Sequence, residues 1–177
     1  MPGDRVVSVC CAGSGHHYLD PRGDAYENDD STLMLCRMRS GRLVKIRVDM
    51  ISDRPPATNY QLQGTKGCYE SARGKSEKNR IWIKEGSQDV STWTDLEDLE
   101  AEFLPEYWRL KEDVAAGTGH GGGDFFEILD FVDAIRGEFI TPIGIHEAMD
   151  ITLPGLVSQQ SILDGERWMD VPDSREW

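Results

Sequence analysis

The hydrophobic pattern divides the chain into a strand-rich first half and a helix-rich second half. Arg5-Val6-Val7-Ser8-Val9-Cys10-Cys11 is short, β-branched and closed by Gly13-Ser14-Gly15, which predicts a strand. A polar stretch from His16 to Asp30, with Pro21, Gly23 and a run of acids, reads as a loop. Thr32–Met38 and Leu43–Val48 flank Arg39-Ser40-Gly41-Arg42 and predict a hairpin. In its second strand Val44, Ile46 and Val48 point one way, Lys45 and Arg47 the other. Arg54-Pro55-Pro56 interrupts the pattern, since proline has no N–H for a ladder. Asn59–Gln63, Cys68–Glu70 and Arg80–Lys84 then predict further short strands joined by tight turns. Together they make an antiparallel or mixed meander.

From Asp95 the period lengthens. Asp95–Leu104 is an acidic helix start, which Pro105 ends or restarts. Asp124–Arg136 is the clearest helix: Asp124 is the expected N-cap, and Gly137 the stop. Phe125, Ile128, Leu129, Val132 and Ile135 fall on one face at helical spacing. Ile145–Leu163 predicts a second helix, kinked at Pro154 and closed by Gly165. The tail Arg167–Trp177 is placed as a last strand or along the core. The expectation is an α+β domain: an open antiparallel or mixed sheet with helices packed on one face, over residues 1–177 as one domain.

Composition narrows the partners. A formal net charge of −13 argues against nucleic acid and against an anionic membrane surface. No apolar run reaches the roughly 20 residues of a membrane span, and Met1-Pro2-Gly3-Asp4-Arg5 has no signal-peptide core. Cys10, Cys11, Cys36 and Cys68 form no C-x-x-C pair and read as free thiols near the core. A cytoplasmic, reducing setting follows as the expectation.

Candidate chemistry concentrates in Gly117-Thr118-Gly119-His120-Gly121-Gly122-Gly123-Asp124. Gly117, Gly119 and Gly122 match the dinucleotide fingerprint literally, but the preceding Arg109–Ala116 is charged or small and not a strand. Asp124 would also set a carboxylate where pyrophosphate must sit. No cofactor site is therefore assigned to this stretch. His120 is different: an imidazole between glycines can approach a ligand closely and can donate, accept or carry a proton. His16 and His17 lie among acids without recognisable metal-ligand spacing, and no nucleophile elbow, Cys/His pair or H-E-x-x-H is present. No catalytic or metal residue is assigned.

Several segments in order resemble the C-terminal domain of the Gfo/Idh/MocA oxidoreductase family. Tyr60-Gln61-Leu62-Gln63-Gly64-Thr65-Lys66-Gly67 is similar to its strand followed by G-T-x-G, and Gly119–Phe126 to its H-G-G-x-D-[FY] helix start. Phe131–Arg136 with Thr141-Pro142-Ile143, then Ala148–Pro154, Ser158, Ser161-Ile162, Gly165 and Val171-Pro172-Asp173 continue the likeness. The Gln-Gly-Thr-Lys-Gly and His-Gly-Gly steps most resemble the NAD-dependent glycosidase branch, glycoside hydrolase family 109, whose activity is α-N-acetylgalactosaminidase. That branch places a Tyr in the loop before the first step, where this chain carries Pro56 or its neighbours, with Tyr60 slightly later.

The resemblance implies the substrate-side half of an NAD(P)-dependent oxidoreductase acting on a sugar or sugar-like polyol. A glycosidase and a non-catalytic oligomerisation or sugar-binding module are the alternatives. NAD or NADP would be bound by a Rossmann half, and the family's glycine fingerprint and Glu-Lys-Pro motif are not in these residues; the chain alone is expected to be inactive. His120, Tyr60 and Arg54 are the candidate substrate-binding residues. A homo-oligomer is expected through the open sheet face, where Lys45 and Arg47 meet Leu33, Leu35 and Trp82.

Overall fold

The computed structural model describes residues 3–49, 51–85 and 91–177; Met1 and Pro2, on which the signal-peptide argument drew, lie outside them. The strands are β1 (Val6–Gly13), β2 (Ser31–Met38), β3 (Leu43–Asp49), β4 (Gln61–Gln63), β5 (Gly67–Glu70), β6 (Arg80–Ile83), β7 (Thr94–Asp95) and β8 (Met169–Asp170). The α-helices are α1 (Glu100–Phe103), α2 (Glu106–Ala115), α3 (Gly123–Arg136) and α4 (Ile145–Leu163). The class is α+β and every strand pairing is antiparallel. The strands form two sheets where the sequence pattern predicted one, in the orders β3-β2-β1-β8 and β4-β5-β6-β7. Pro55 and Pro56, which cannot donate to a ladder, lie between them. The same point divides the chain into two compact units, Met1–Asp53 with Thr141–Trp177, and Arg54–Ile140.

In the first unit β2 and β3 form the expected hairpin. Gly41, at φ +84°, makes the turn that a side chain would strain, and Met38 N–H donates to Arg42 O at 2.8 Å. Register pairs Met34 with Ile46 and Cys36 with Val44, so these share the face that α4 covers. Val9, Cys11, Met34, Cys36, Leu153, Val157 and Val171 make the core, each apolar side chain gaining roughly 1–3 kcal/mol from burial. Burial pushes the Cys11 and Cys36 thiols up, which keeps them protonated and inert. The edge strand β3 escapes this cover, and Val44, Ile46 and Val48 stay substantially exposed.

The helix α4 runs unbroken through the buried Pro154. Its fully buried Ser161 hydroxyl accepts from Cys11 N–H at 3.0 Å and donates to Arg167 O at 2.6 Å, stitching helix, sheet and tail. Gly165, at φ +77°, ends the helix, and the tail adds β8 against β1. Asp173, almost fully buried, accepts from Arg175 N–H at 3.1 Å and Arg39 Nη2 at 2.9 Å, and forms an ion pair with Arg5, whose Nε lies 3.1 Å away. The Arg175 backbone N–H foremost, with the Arg175 and Arg39 side chains and the charge of Arg5, holds its carboxyl down at about 2.

The opposite sheet face carries Leu33 beside Arg47 and Leu35 beside Lys45, with Arg37 stacked 4.9 Å from the Trp168 ring centroid. Trp82 was expected on this face but belongs to β6 of the other sheet. Among the described residues no helix is long and apolar enough to cross a membrane.

In the second unit Gly64 N–H donates to Gly67 O at 2.9 Å, so the Gln-Gly-Thr-Lys-Gly step is the β4–β5 turn. A helix, α2, precedes Gly117, so the strand that the dinucleotide fingerprint requires is replaced by helix. The face of α3 that packs matches the predicted one only in part: Phe125, Leu129 and Val132 are half-buried. Phe126 is buried, stacked on Trp108 at 4.4 Å and met edge-on by Tyr107 at 5.8 Å, whereas Ile128 and Ile135 are mostly exposed. Aromatic packing onto α2 turns the buried face toward Phe126 and leaves Ile128 and Ile135 outside it.

Candidate substrate site

His120 sits in a 3₁₀ turn, His120–Gly122, that leads into α3. His120, Gly121 and Gly122 all have positive φ, at +53°, +69° and +98°. Glycine takes this conformation freely; for histidine it is unusual. Gly119 leaves room of a second kind: a Cβ there would press on the Asp124 carboxylate and displace it. The glycines thus let the chain fold back so that His120 faces Asp124.

His120 Nδ1–H donates to Asp124 Oδ1 at 2.7 Å, and the imidazole is 87% exposed. The hydrogen bond to Asp124, aided by its charge, raises the His120 pKa above the ordinary histidine value. With Nδ1 so engaged, the neutral ring presents Nε2 as an acceptor to solvent or ligand. Asp124 is consequently not the N-cap that the sequence suggested. Gly122 occupies the cap, in the left-handed conformation, and Asp124 lies inside the first turn. There its charge still favours the helix dipole while its oxygen is committed to His120. The H-x-x-x-D spacing, one helical turn, was the signal that could have revealed the pair.

Tyr60 stands immediately before β4. Its N–H donates to Ser71 Oγ and its C=O accepts from Ser71 N–H, both at 2.8 Å, which fixes the backbone while the ring is 64% exposed. Arg54 is exposed, and its Nε donates at 3.4 Å to the carbonyl of the adjacent Pro55. Among the described residues no hydrogen bond or ion pair joins Arg54, Tyr60 and His120; they occupy separate points of the second unit. No group of three or more His, Cys, Asp or Glu placed to hold a metal is found among the described residues.

Known proteins share this arrangement of elements. A levoglucosan dehydrogenase, solved with NADH and L-sorbose, superposes with a TM-score of 0.71 at 17% identity, covering 96% of this chain and 45% of that one. At that identity the likeness is one of fold. A glycosyl hydrolase family 109 protein of Stenotrophomonas maltophilia (strain K279a) is 29% identical over 143 residues, which is 81% of this chain and 30% of that protein. The alpha-N-acetylgalactosaminidase of Tannerella forsythia is 27% identical over 161 residues, 91% of this chain and 32% of the enzyme. The chain therefore spans about a third of the length of these relatives. The family described as Glycosyl hydrolase 109, C-terminal domain, matches residues 14–176. Over nearly its whole length, then, this chain belongs to the glycosyl hydrolase 109 C-terminal domain family.

Proposed function

We propose that these residues form the substrate-side domain of an NAD(P)-dependent enzyme acting on a sugar or sugar-like polyol. The observation that carries the reading is the exposed His120–Asp124 pair. Asp124 orients the ring, and the neutral Nε2 can accept the proton of a sugar hydroxyl in a hydrogen bond. Tyr60, with its ring held outward, offers a stacking surface and a phenol, and Arg54 a fork of donors.

The chain's own glycine turn does not fit a dinucleotide, because it follows a helix and carries Asp124 at the position of the pyrophosphate. The nucleotide would be held by a Rossmann half elsewhere in the polypeptide, supplying hydride chemistry; no step is assigned to it here. The family match and the alpha-N-acetylgalactosaminidase relative favour a second reading, in which the same site serves an NAD-dependent glycosidase. Four free thiols support a reducing, cytoplasmic setting. The mixed face of Leu33, Leu35, Lys45 and Arg47 supports a homo-oligomer formed sheet to sheet.

The test uses the protein with its nucleotide-binding half attached. An aryl α-N-acetylgalactosaminide hydrolysed with NAD+ required but no net NADH formed supports the glycosidase; stoichiometric NADH from a free sugar supports the dehydrogenase. His120→Ala should raise KM about tenfold, the worth of one good hydrogen bond. An unchanged KM would remove His120 from the site.

A further inference from the structure

The sheet of the second unit carries a polar face that the His120 turn does not use. Register sets Glu70 opposite Arg80 and Arg80 opposite Asp95, so all three side chains lie on one face. On it opens a groove of about 430 Å³ lined by Arg73, Glu77, Lys78, Arg80, Trp93 and Asp95. That volume lies within the few hundred to a thousand Å³ usual for small-ligand sites.

The groove is charged, its cations interleaved with carboxylates, and Glu97 and Asp98 add negative charge near Lys78. Arg80 donates to Glu70 Oε2 from Nη2 at 2.5 Å and from Nε at 3.2 Å. Lys78 Nζ donates to Asp95 Oδ2 at 2.6 Å. Arg73 stands 3.7 Å from Glu70, and its backbone N–H donates to Glu77 Oε2 at 3.3 Å. Arg80 and Lys78 are thus each paired with a carboxylate, Glu70 and Asp95, Arg73 stands near the same Glu70, and Glu77 takes only a backbone N–H. Trp93 forms a wall, with the Arg80 guanidinium 5.0 Å from its ring centroid and 37% of the residue exposed.

Each ligand class meets this arrangement differently. An anion gains little net attraction and would have to pull a cation from its carboxylate. A purely apolar ligand would strand ion pairs away from water. A hydroxyl-rich neutral molecule does neither: its OH groups donate to the carboxylates' spare lone pairs and accept from the remaining N–H groups. Its C–H face can pack on the exposed part of the indole. Arg80 is already held by two hydrogen bonds to Glu70, so part of the ordering cost is met before binding.

We propose that the β5–β7 groove is a subsite for a neutral saccharide, with Trp93 as stacking wall and Arg73, Lys78 and Asp95 as hydroxyl partners. It shares a ligand class with the reading above but none of its residues.

The experiment is ¹H–¹⁵N NMR of the full chain titrated with galactose and N-acetylgalactosamine, against galactose 6-phosphate and inorganic phosphate. The neutral sugars should give saturable shifts of the Trp93 indole and the Arg80 and Asp95 amides at millimolar concentration. Trp93→Ala should weaken binding about tenfold, read on the Arg80 amide. Lys78→Gln, on a flexible exposed side chain, should weaken it severalfold with the sheet spectrum intact. His120→Ala should leave the groove shifts unchanged, so the His120 reading can fail while this one stands. No shift with either neutral sugar, stronger binding of phosphate, or loss of the groove shifts in His120→Ala would each overturn the subsite.

Discussion

The two units of this chain bury their residues very differently. The first unites Val9, Cys11, Met34 and Cys36 of the sheet with Leu153 and Val157 of α4 in one core, pinned at the tail by Asp173. In the second, Ala115 and Phe126 are the buried apolar residues among those described, while His120, Tyr60 and the Trp93 groove lie open. Stability thus concentrates in one unit and exposed chemistry in the other. Exposed polar groups need no burial of their own, but they need a frame that does not collapse onto them. In the second unit that frame is made of ion pairs, turn glycines and one aromatic cluster.

The contrast makes its largest prediction in the first core. Leu153→Ala should cost about 3 kcal/mol, since little can close over the cavity between α4 and the sheet. Chemical denaturation should report it as a fall in midpoint with an unchanged slope. Phe126→Ala should cost less, about 2 kcal/mol, because its partners Tyr107 and Trp108 remain partly exposed and can settle. Hydrogen exchange should rise in α2 and α3 and leave β1 and α4 protected; uniform loss of protection would mean that the units unfold as one.

Asp173 gives the comparison a pH axis. Its pKa is held at about 2 against an ordinary 3.8. A depressed carboxyl contributes stability that is present above the unfolded value and lost as pH falls from 3.8 through about 2. The tail of the first unit should therefore loosen in that window, seen as line broadening at Val171 and Arg175. Asp173→Asn should lower Tm by on the order of 3 °C at neutral pH and flatten the acid limb. An acid limb identical to that of the unsubstituted protein would show that Arg5, Arg39 and Arg175 do not stabilise this carboxylate.

Much of the first unit is legible in the sequence, because period-two alternation over Leu43–Val48 and the turn around Gly41 are local signals. The split into two sheets was less so. Pro55-Pro56 announced an interruption, yet the choice between one sheet and two depends on which edges pair, and that is a tertiary fact. The burial of α3 was misread in part, because its helical stripe of Ile128 and Ile135 is as apolar as the face that packs; the partner that decides, Trp108, lies on another helix. In the site, the His120 glycine turn was visible, and its Asp124 partner was taken for a cap because both roles suit an acid at a helix start. Trp93 and its ion pairs carry no local motif: they meet only through the register of β5, β6 and β7.

The smallest expected effect in stability is also the sharpest in chemistry. Asp124→Asn keeps the size of the side chain and an oxygen to accept from His120 Nδ1–H, but removes the negative charge. As a first-turn acid rather than a cap, Asp124 should contribute only about 0.5 kcal/mol to the fold. A cost near that of a lost N-cap, about 1–2 kcal/mol, would instead restore the capping role that Gly122 holds here. The His120 titration should move much more visibly. Its pKa is raised chiefly by the hydrogen bond to Asp124 and then by the charge, so the variant should titrate closer to the ordinary 6.5. A raised histidine pKa stabilises below the unfolded value, and that contribution fades as pH rises through the folded one. The difference in stability between parent and variant should accordingly be greatest below pH 6.5 and fall at higher pH to the share that the helix dipole supplies. Histidine Hε1 shifts followed across that range would read both curves in one sample. Coincident curves would mean that Asp124 does not govern the imidazole, and the second unit would lose the pair on which the proposed substrate site is built.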